Sequence, residues 1–237
     1  MNYPENQNTD FQRYSRLEAL PGIGREGLSR IRNAKVLVVG CGALGSLCSM
    51  ELAASGIGHI AIADFDTIEV SNLQRQLFFR TDETGAPKAD TLAERMRALN
   101  PGVEVEVIPM MITPEIAETL FPRFDFVVDG SDNPHTKQMT DSICRRLGIP
   151  YCIGGVREYG GQVMSWAPGK ASWADIFGSI PDDTDRKARP VLGPAAAVAA
   201  SVQASEAIKH CAGTGGMLHN RLLLFDLAAP YMKTLEI

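Results

Sequence analysis

Three groups of residues in this 237-residue chain have the types and spacing to act on a phosphorylated ligand. The first is Gly40-Cys41-Gly42-Ala43-Leu44-Gly45, which fits G-x-G-x-x-G. It directly follows the β-branched run AKVLVVG and opens a helix pattern, SLCSMELAASGI. Glycines there permit a tight turn and close approach of backbone to phosphate, and a helix N-terminus adds partial positive charge. Asp64 ends the next apolar run, HIAIADFD, about 20 residues on, where a carboxylate commonly holds ribose hydroxyls. Such a turn can also serve helix–sheet packing alone, but its place between strand and helix favours a nucleotide site. By itself the fingerprint favours NAD.

The second group is cationic. Ser71-Asn72-Leu73-Gln74-Arg75-Gln76 is followed by Lys88, in a Gly-Ala-Pro-Lys turn at a helix start, with Arg80, Arg13 and Arg16 adding further charge. Hydride transfer needs few cations. Transfer at phosphorus needs several, because negative charge builds on the phosphoryl oxygens. The plainer alternative makes Arg75 and Lys88 ordinary surface charges. The third group is Asp129-Gly130-Ser131-Asp132-Asn133, after FDFVVD, at the end of a strand where ligands of open α/β folds gather. Asp132 could hold Mg²⁺, which uses one or two carboxylates plus substrate phosphates. Equally it could be the N-cap of a helix starting near Pro134.

The elements that must carry these groups alternate. Continuous apolar strands at 34–40 and 59–66 flank the helix after the glycine turn, giving a βαβ unit. Helices over 88–99, 114–121 and 134–147 alternate with strands over 103–108, 125–129 and 150–154. This pattern predicts an α/β protein with a Rossmann-like, doubly wound, mostly parallel sheet. After Gly155 the pattern changes to GGQVMSW, an antiparallel strand, and a C-terminal extension continues as a loop over 167–193, a small-residue helix over 194–210 and a final strand over 221–227. Residues 1–10 read as a disordered lead and 11–32 as short helical pieces. The expected organisation is a helical arm over 1–32 and a Rossmann-like body over 33–237, together one structural domain.

Composition narrows the class. Lys plus Arg number 23 against 28 Asp plus Glu, a net charge of −5, which speaks against a general nucleic-acid platform. Hydrophobic residues at 45% and charged residues at 22% exclude a disordered chain. No apolar run reaches the roughly 18 residues of a membrane span, and the polar N-terminus carries no signal-peptide pattern. The five cysteines (Cys41, Cys48, Cys144, Cys152, Cys211) are scattered without a C-x-x-C pair, which argues against a disulfide framework or zinc site and points to a cytoplasmic protein.

At this level the chain resembles the ThiF/MoeB/HesA family, bacterial relatives of ubiquitin-activating enzymes. The resemblance covers residues 11–237. It rests on RYSR at 13–16, VLVVGCGALGS at 36–46, ADFDTIEVSNLQRQLFF at 63–79, GAPKAD at 85–90, LNP at 99–101, VVDGSDN at 127–133, GGQV at 160–163 and QASEAIK at 203–209. The string Ser-Asn-Leu-Gln-Arg-Gln carries most of the specificity. The family implies ATP-dependent adenylation, with Mg²⁺, of the C-terminal carboxylate of a small ubiquitin-like sulfur-carrier protein ending in Gly-Gly, of the thiamine or molybdopterin type. By resemblance, Gly40, Gly42, Ala43 and Gly45 with Asp64 and Asp66 would cradle the adenosine, and Ser71, Asn72, Leu73, Gln74 and Arg75 the phosphates. Lys88 and Arg75 would offset charge at the α-phosphate, Asp132 would place Mg²⁺, and Asn133 would also contact the nucleotide. Arg16 would reach across a homodimer into the partner's site.

There are two departures. Ala43 stands where the family's turn usually has another glycine, a mild change provided its φ stays negative. Many relatives also carry two C-x-x-C pairs, whereas here the first position reads Ser172-Trp173-Ala174-Asp175 and the sequence ends in PYMKTLEI, without a cysteine. No zinc site is therefore expected, and a covalent carrier intermediate on the cysteine-free loop 167–193 is in doubt. Cys144 and Cys152 read as core, and Cys41 as packing rather than a catalytic thiol. Met110, Met111 and Trp173 read as core or loop packing, and the four histidines receive no role. Three rivals stay open: a zinc-free relative activating a modified adenosine in tRNA, an NAD-dependent oxidoreductase, and a degenerate scaffolding subunit. The retained Arg75, Lys88 and Asp132 weigh against the last.

Overall fold

The uninterrupted apolar runs form strands buried on both faces. The computed structural model describes residues 5–180 and 190–237. In chain order its elements are α1 (Glu5–Glu18), α2 (Gly24–Asn33), β1 (Lys35–Val39), α3 (Ala43–Ser55), β2 (His59–Ala63), α4 (Lys88–Leu99), β3 (Glu104–Ile108), α5 (Pro114–Leu120), β4 (Phe126–Asp129), α6 (Pro134–Leu147), β5 (Tyr151–Arg157), β6 (Gly160–Trp166), α7 (Trp173–Phe177), α8 (Gly193–Ala212), β7 (Arg221–Asp226) and β8 (Tyr231–Glu236). One sheet of eight strands runs β3-β2-β1-β4-β5-β6-β7-β8. The pairs from β3 through β5 are parallel, and those from β5 through β8 are antiparallel.

Successive side chains of β1 enter opposite cores. Val36 and Val38 join Leu52 of α3, Met96 of α4 and the alanines of α8. Leu37 and Val39 join Leu120 of α5, Ile143 of α6 and Trp173 of α7. Burial on both faces is why β1 shows no polar alternation. Chain order reverses at β1, where the glycine turn leaves one strand and β4 lies beside it, so both loops open at the carboxyl ends of adjacent strands.

The fold corrects several expectations. Helix α1 already runs from Glu5, so only residues 1–4 of the supposed disordered lead lie outside the described residues. The arm packs on the body: Ile31 enters the core beside α8, and Arg30 Nε donates to the Ala212 carbonyl at 2.7 Å. Strand β5 extends to Arg157 rather than ending near Gly154, because both its glycines pair with β6 across a hairpin. The supposed loop 167–193 contains α7, started by a Ser172–Asp175 capping box, while its residues 181–189 lie outside the described residues. Strand β7 is not the last; β8 follows it along the sheet edge. Met110 and Met111 are exposed rather than packed, at 45% and 57%, whereas Trp173 is buried. Among the described residues no helix is long and apolar enough to cross a membrane.

Candidate functional site

The glycine turn adopts a shape that only small residues allow. Gly40 has φ +91°, in the left-handed region. A β-carbon on Gly45 would lie 1.7 Å from the Gly40 carbonyl oxygen, so the third glycine is obligatory for the first turn of α3 to close on β1. Gly42 is the N-cap and makes no side-chain cap bond, which leaves the first N–H groups of α3 aimed at whatever occupies the turn. Ala43 is already helical, and Glu158 and Asn220 are the non-glycine residues with positive φ among those described, so its negative-φ condition is met.

Asp64 ties β2 to this turn. One carboxylate oxygen accepts from Cys41 N–H at 2.6 Å and the other from Asp66 N–H at 2.7 Å. Burial pushes the Asp64 carboxyl above the usual carboxylate range, against the lowering effect of these two bonds. Cys41 is fully buried, and that burial, reinforced by Asp64, raises its thiol well above the ordinary value, which fits a packing role.

Lys88 begins α4 and is 6% exposed, so it is not an ordinary surface charge. Its ammonium meets Asp66 at 3.1 Å, and its N–H donates to the Asp66 carbonyl at 3.0 Å. The 71–76 segment divides by direction. Asn72 and Gln76 are buried, and Asn72 Oδ1 and Gln76 Oε1 lack partners among the described residues. Gln76 faces the turn, with its Nε2 3.7 Å from where a Gly42 β-carbon would stand. Leu73 packs on the core, whereas Ser71 and Gln74 are exposed, Ser71 bonding to Glu69. Arg75 donates to the Ser71 carbonyl at 3.0 Å and lines a shallow groove with Ala43, Ser46 and Leu47. Arg80 is drawn away by Asp82 and Glu83, and Arg13 by the Leu99 carbonyl.

The third group lies against the first. A β-carbon on Gly40 would meet Ser131 Cα at 3.2 Å, and one on Gly130 would meet Gly45 Cα at 2.7 Å. The N-cap of α6 is Asn133, whose side chain accepts from His135 N–H at 2.9 Å. Asp132 is therefore not the cap; it is exposed and has no hydrogen bond or ion pair among the described residues.

Arg16 is placed apart. It is exposed in the last turn of α1, two residues from Tyr14, whose ring abuts Gly56 at the C-terminal end of α3. The turn lies at the opposite end of this 13-residue helix, about 20 Å away and beyond an arginine's reach within one protomer.

The cradle of glycines, the uncapped helix start and the buried Gln76 amide beside it suit a nucleotide; the cations and exposed carboxylate suit its phosphates and a magnesium ion. The sequence motifs contain Gln76, Asp129 and Ser131 without giving them a role, and Lys137 lies outside every motif. Gln76 closes the recognised hexapeptide and could have been found by that position.

The model of the ThiF family matches residues 14–237, which include the turn, the hexapeptide, Lys88 and the Asp132 loop. The chain belongs to the ThiF family. It is 35% identical over 237 residues to a sulfur carrier protein adenylyltransferase of Thermus thermophilus, covering 94% of this chain and 86% of that protein. It is 34% identical over 234 residues to the sulfur carrier protein ThiS adenylyltransferase of Escherichia coli K12, covering 96% and 92%. Its enzyme class is accordingly that of the ThiF/MoeB-type adenylyltransferases, a class that implies use of ATP. A crystal structure of E. coli MccB with MccA-N7isoASN superposes with a TM-score of 0.85 at 23% identity, over 99% of this chain and 80% of that one, a likeness of fold.

Proposed function

We propose that this ThiF-family chain adenylates the C-terminal carboxylate of a small ubiquitin-like sulfur-carrier protein ending in Gly-Gly, of the thiamine or molybdopterin type. A carrier oxygen attacks the α-phosphorus of ATP. The bond from that phosphorus to the bridging oxygen breaks, and pyrophosphate leaves with the electron pair. The products are the acyl-adenylate and pyrophosphate. No side-chain base is required, because the carboxylate is ionised at neutral pH.

Each residue's part follows from charge and position. Gly40, Gly42, Ala43 and Gly45 let the phosphates approach the start of α3, with Asp64 taking ribose hydroxyls and Asp66 holding Lys88. Ser71, Asn72, Gln74 and Arg75 supply polar contacts, Leu73 seats their segment on the core, and Gln76 joins them from the buried side. Asn133 orders the nucleotide-facing loop as its cap. Lys88 and Arg75 offset the charge that grows at the α-phosphate, where one lost donor costs about 10²–10³ in rate. Mg²⁺, held by Asp132 with phosphate oxygens, would neutralise further charge when bound.

The single observation that carries this reading is the burial of Lys88 beside Asp66 within a site that also gathers the turn and the Asp132 loop. Arg16 lies too far from its own turn to serve it, which fits the homodimer that the family resemblance implies, with Arg16 of one protomer reaching the other's site; the cysteine pattern puts such a protein in the cytoplasm. Exchange of labelled pyrophosphate into ATP, with and without a Gly-Gly-terminated carrier, tests the function.

A further inference from the structure

Asp129 and Lys137 form a buried ion pair that the proposed chemistry leaves without a task. Asp129 ends β4 and is fully buried, and Lys137, the fourth residue of α6, is 8% exposed. Lys137 Nζ donates to Asp129 Oδ1 at 3.0 Å and to the Ser131 carbonyl at 2.6 Å. The same carboxylate accepts from Ser131 N–H at 3.0 Å, the Ser131 hydroxyl at 2.7 Å and the Thr140 hydroxyl at 3.0 Å. From α8, Gln203 Nε2 donates to the Asp129 carbonyl at 2.7 Å.

Packing alone does not call for these charges. A hydrophobic pair of similar volume would serve a core equally well, because desolvating two ions cancels most of their attraction. Lys137 also stands near the positive end of the α6 dipole, where a cation is locally unfavourable. What these bonds share is their target. Ser131 N–H, the Ser131 carbonyl and the Asp129 carbonyl all belong to the backbone leading into Asp132, and that backbone touches Gly40 and Gly45. Asp132 has no side-chain partner among the described residues, so its direction follows from its backbone.

We propose that Lys137 is a positioning residue whose ammonium, by joining Asp129 to the Ser131 carbonyl, holds Asp132 in place beside the glycine turn for a metal–nucleotide complex. This rests on the reading of Asp132 given above. A carboxylate ordered in advance loses less freedom when the complex arrives. Ligand-orienting partners of this kind typically change metal affinity by about 10–100-fold when removed.

The test is calorimetric binding of ATP to the whole chain with and without Mg²⁺, which needs no carrier. Asp129→Asn combined with Lys137→Met exchanges the ion pair for a neutral pair of similar size and strands no charge. This double variant is expected to melt within a few degrees of wild type and to keep its metal-free ATP affinity, while the tightening by Mg²⁺ shrinks at least about tenfold. Lys137→Arg should recover most of the tightening, and Asp132→Ala should lose it. Full tightening in the double variant overturns the inference and leaves the Asp132 reading standing. Full tightening in Asp132→Ala overturns both. A loss that merely follows a lowered Tm, without rescue by Lys137→Arg, also overturns the inference.

Discussion

Cys41 N–H donates to the Asp64 carboxylate at 2.6 Å, joining the phosphate turn to the end of the neighbouring strand. The bond requires an ionised or at least accepting oxygen at that position. Asp64→Asn can turn an amide donor toward Cys41 N–H, and the loss of a charged hydrogen-bond acceptor is worth about 1.5–3 kcal/mol. ATP affinity is therefore expected to fall about ten- to a hundredfold by calorimetry, since about 1.4 kcal/mol is tenfold. Burial raises the Asp64 carboxyl, so acidification should weaken ATP binding to wild type before the ordinary aspartate range is reached.

Lys88 offers a separation of chemistry from stability. Its partner Asp66 has a side chain 51% exposed, so removing the ammonium leaves that carboxylate to water rather than stranding it. Lys88→Ala should reduce pyrophosphate exchange by at least about 10²-fold while the chain still unfolds cooperatively. Comparing exchange rates with thermal melts checks both halves.

Gly45→Ala places a methyl group 1.7 Å from the Gly40 carbonyl oxygen, a backbone atom that cannot swing aside. The turn must open or α3 must shift. Forced shifts of this sort cost about 1–3 kcal/mol or more, which urea denaturation would register as a lower midpoint together with weaker ATP binding.

Much of this architecture was legible because local pattern and tertiary role agree. The run at β1 is apolar throughout since both its faces are covered, and α6 spans 134–147 as its Asn-Pro start suggests. The misses have physical causes. Strand β8 is exposed along its whole length, so burial imposes no alternation on YMKTLE. Gly154 and Gly155 look like a strand end, but their missing side chains leave room for Gln203 and the partner strand. Helix α1 begins within ENQNTD, where no apolar stripe signals it. Lys137 resembled any polar residue of an amphipathic helix, because its partner eight positions earlier approaches only through the turn between β4 and α6.

Two histidines, His210 and His219, without a role in the sequence reading, bear on stability instead. Burial lowers the proton affinity of His210, which packs 4.9 Å from the Phe126 ring, and of His219. The unfolded chain takes up protons below about 6.5 that the native state resists. Their stabilising effect is full above that pH and is lost as pH falls from it toward the lower native values. Melts from about pH 8 to pH 5 should show a falling Tm, with a shallower fall when both are replaced by glutamine.

The most direct measurement is exchange of labelled pyrophosphate into ATP by the purified chain. Exchange is expected only with a small carrier ending in Gly-Gly, and Lys88→Ala or Asp132→Ala should abolish it. Exchange that proceeds without any carrier, or none with every such carrier supplied, would contradict adenylation of a carrier carboxylate at this site.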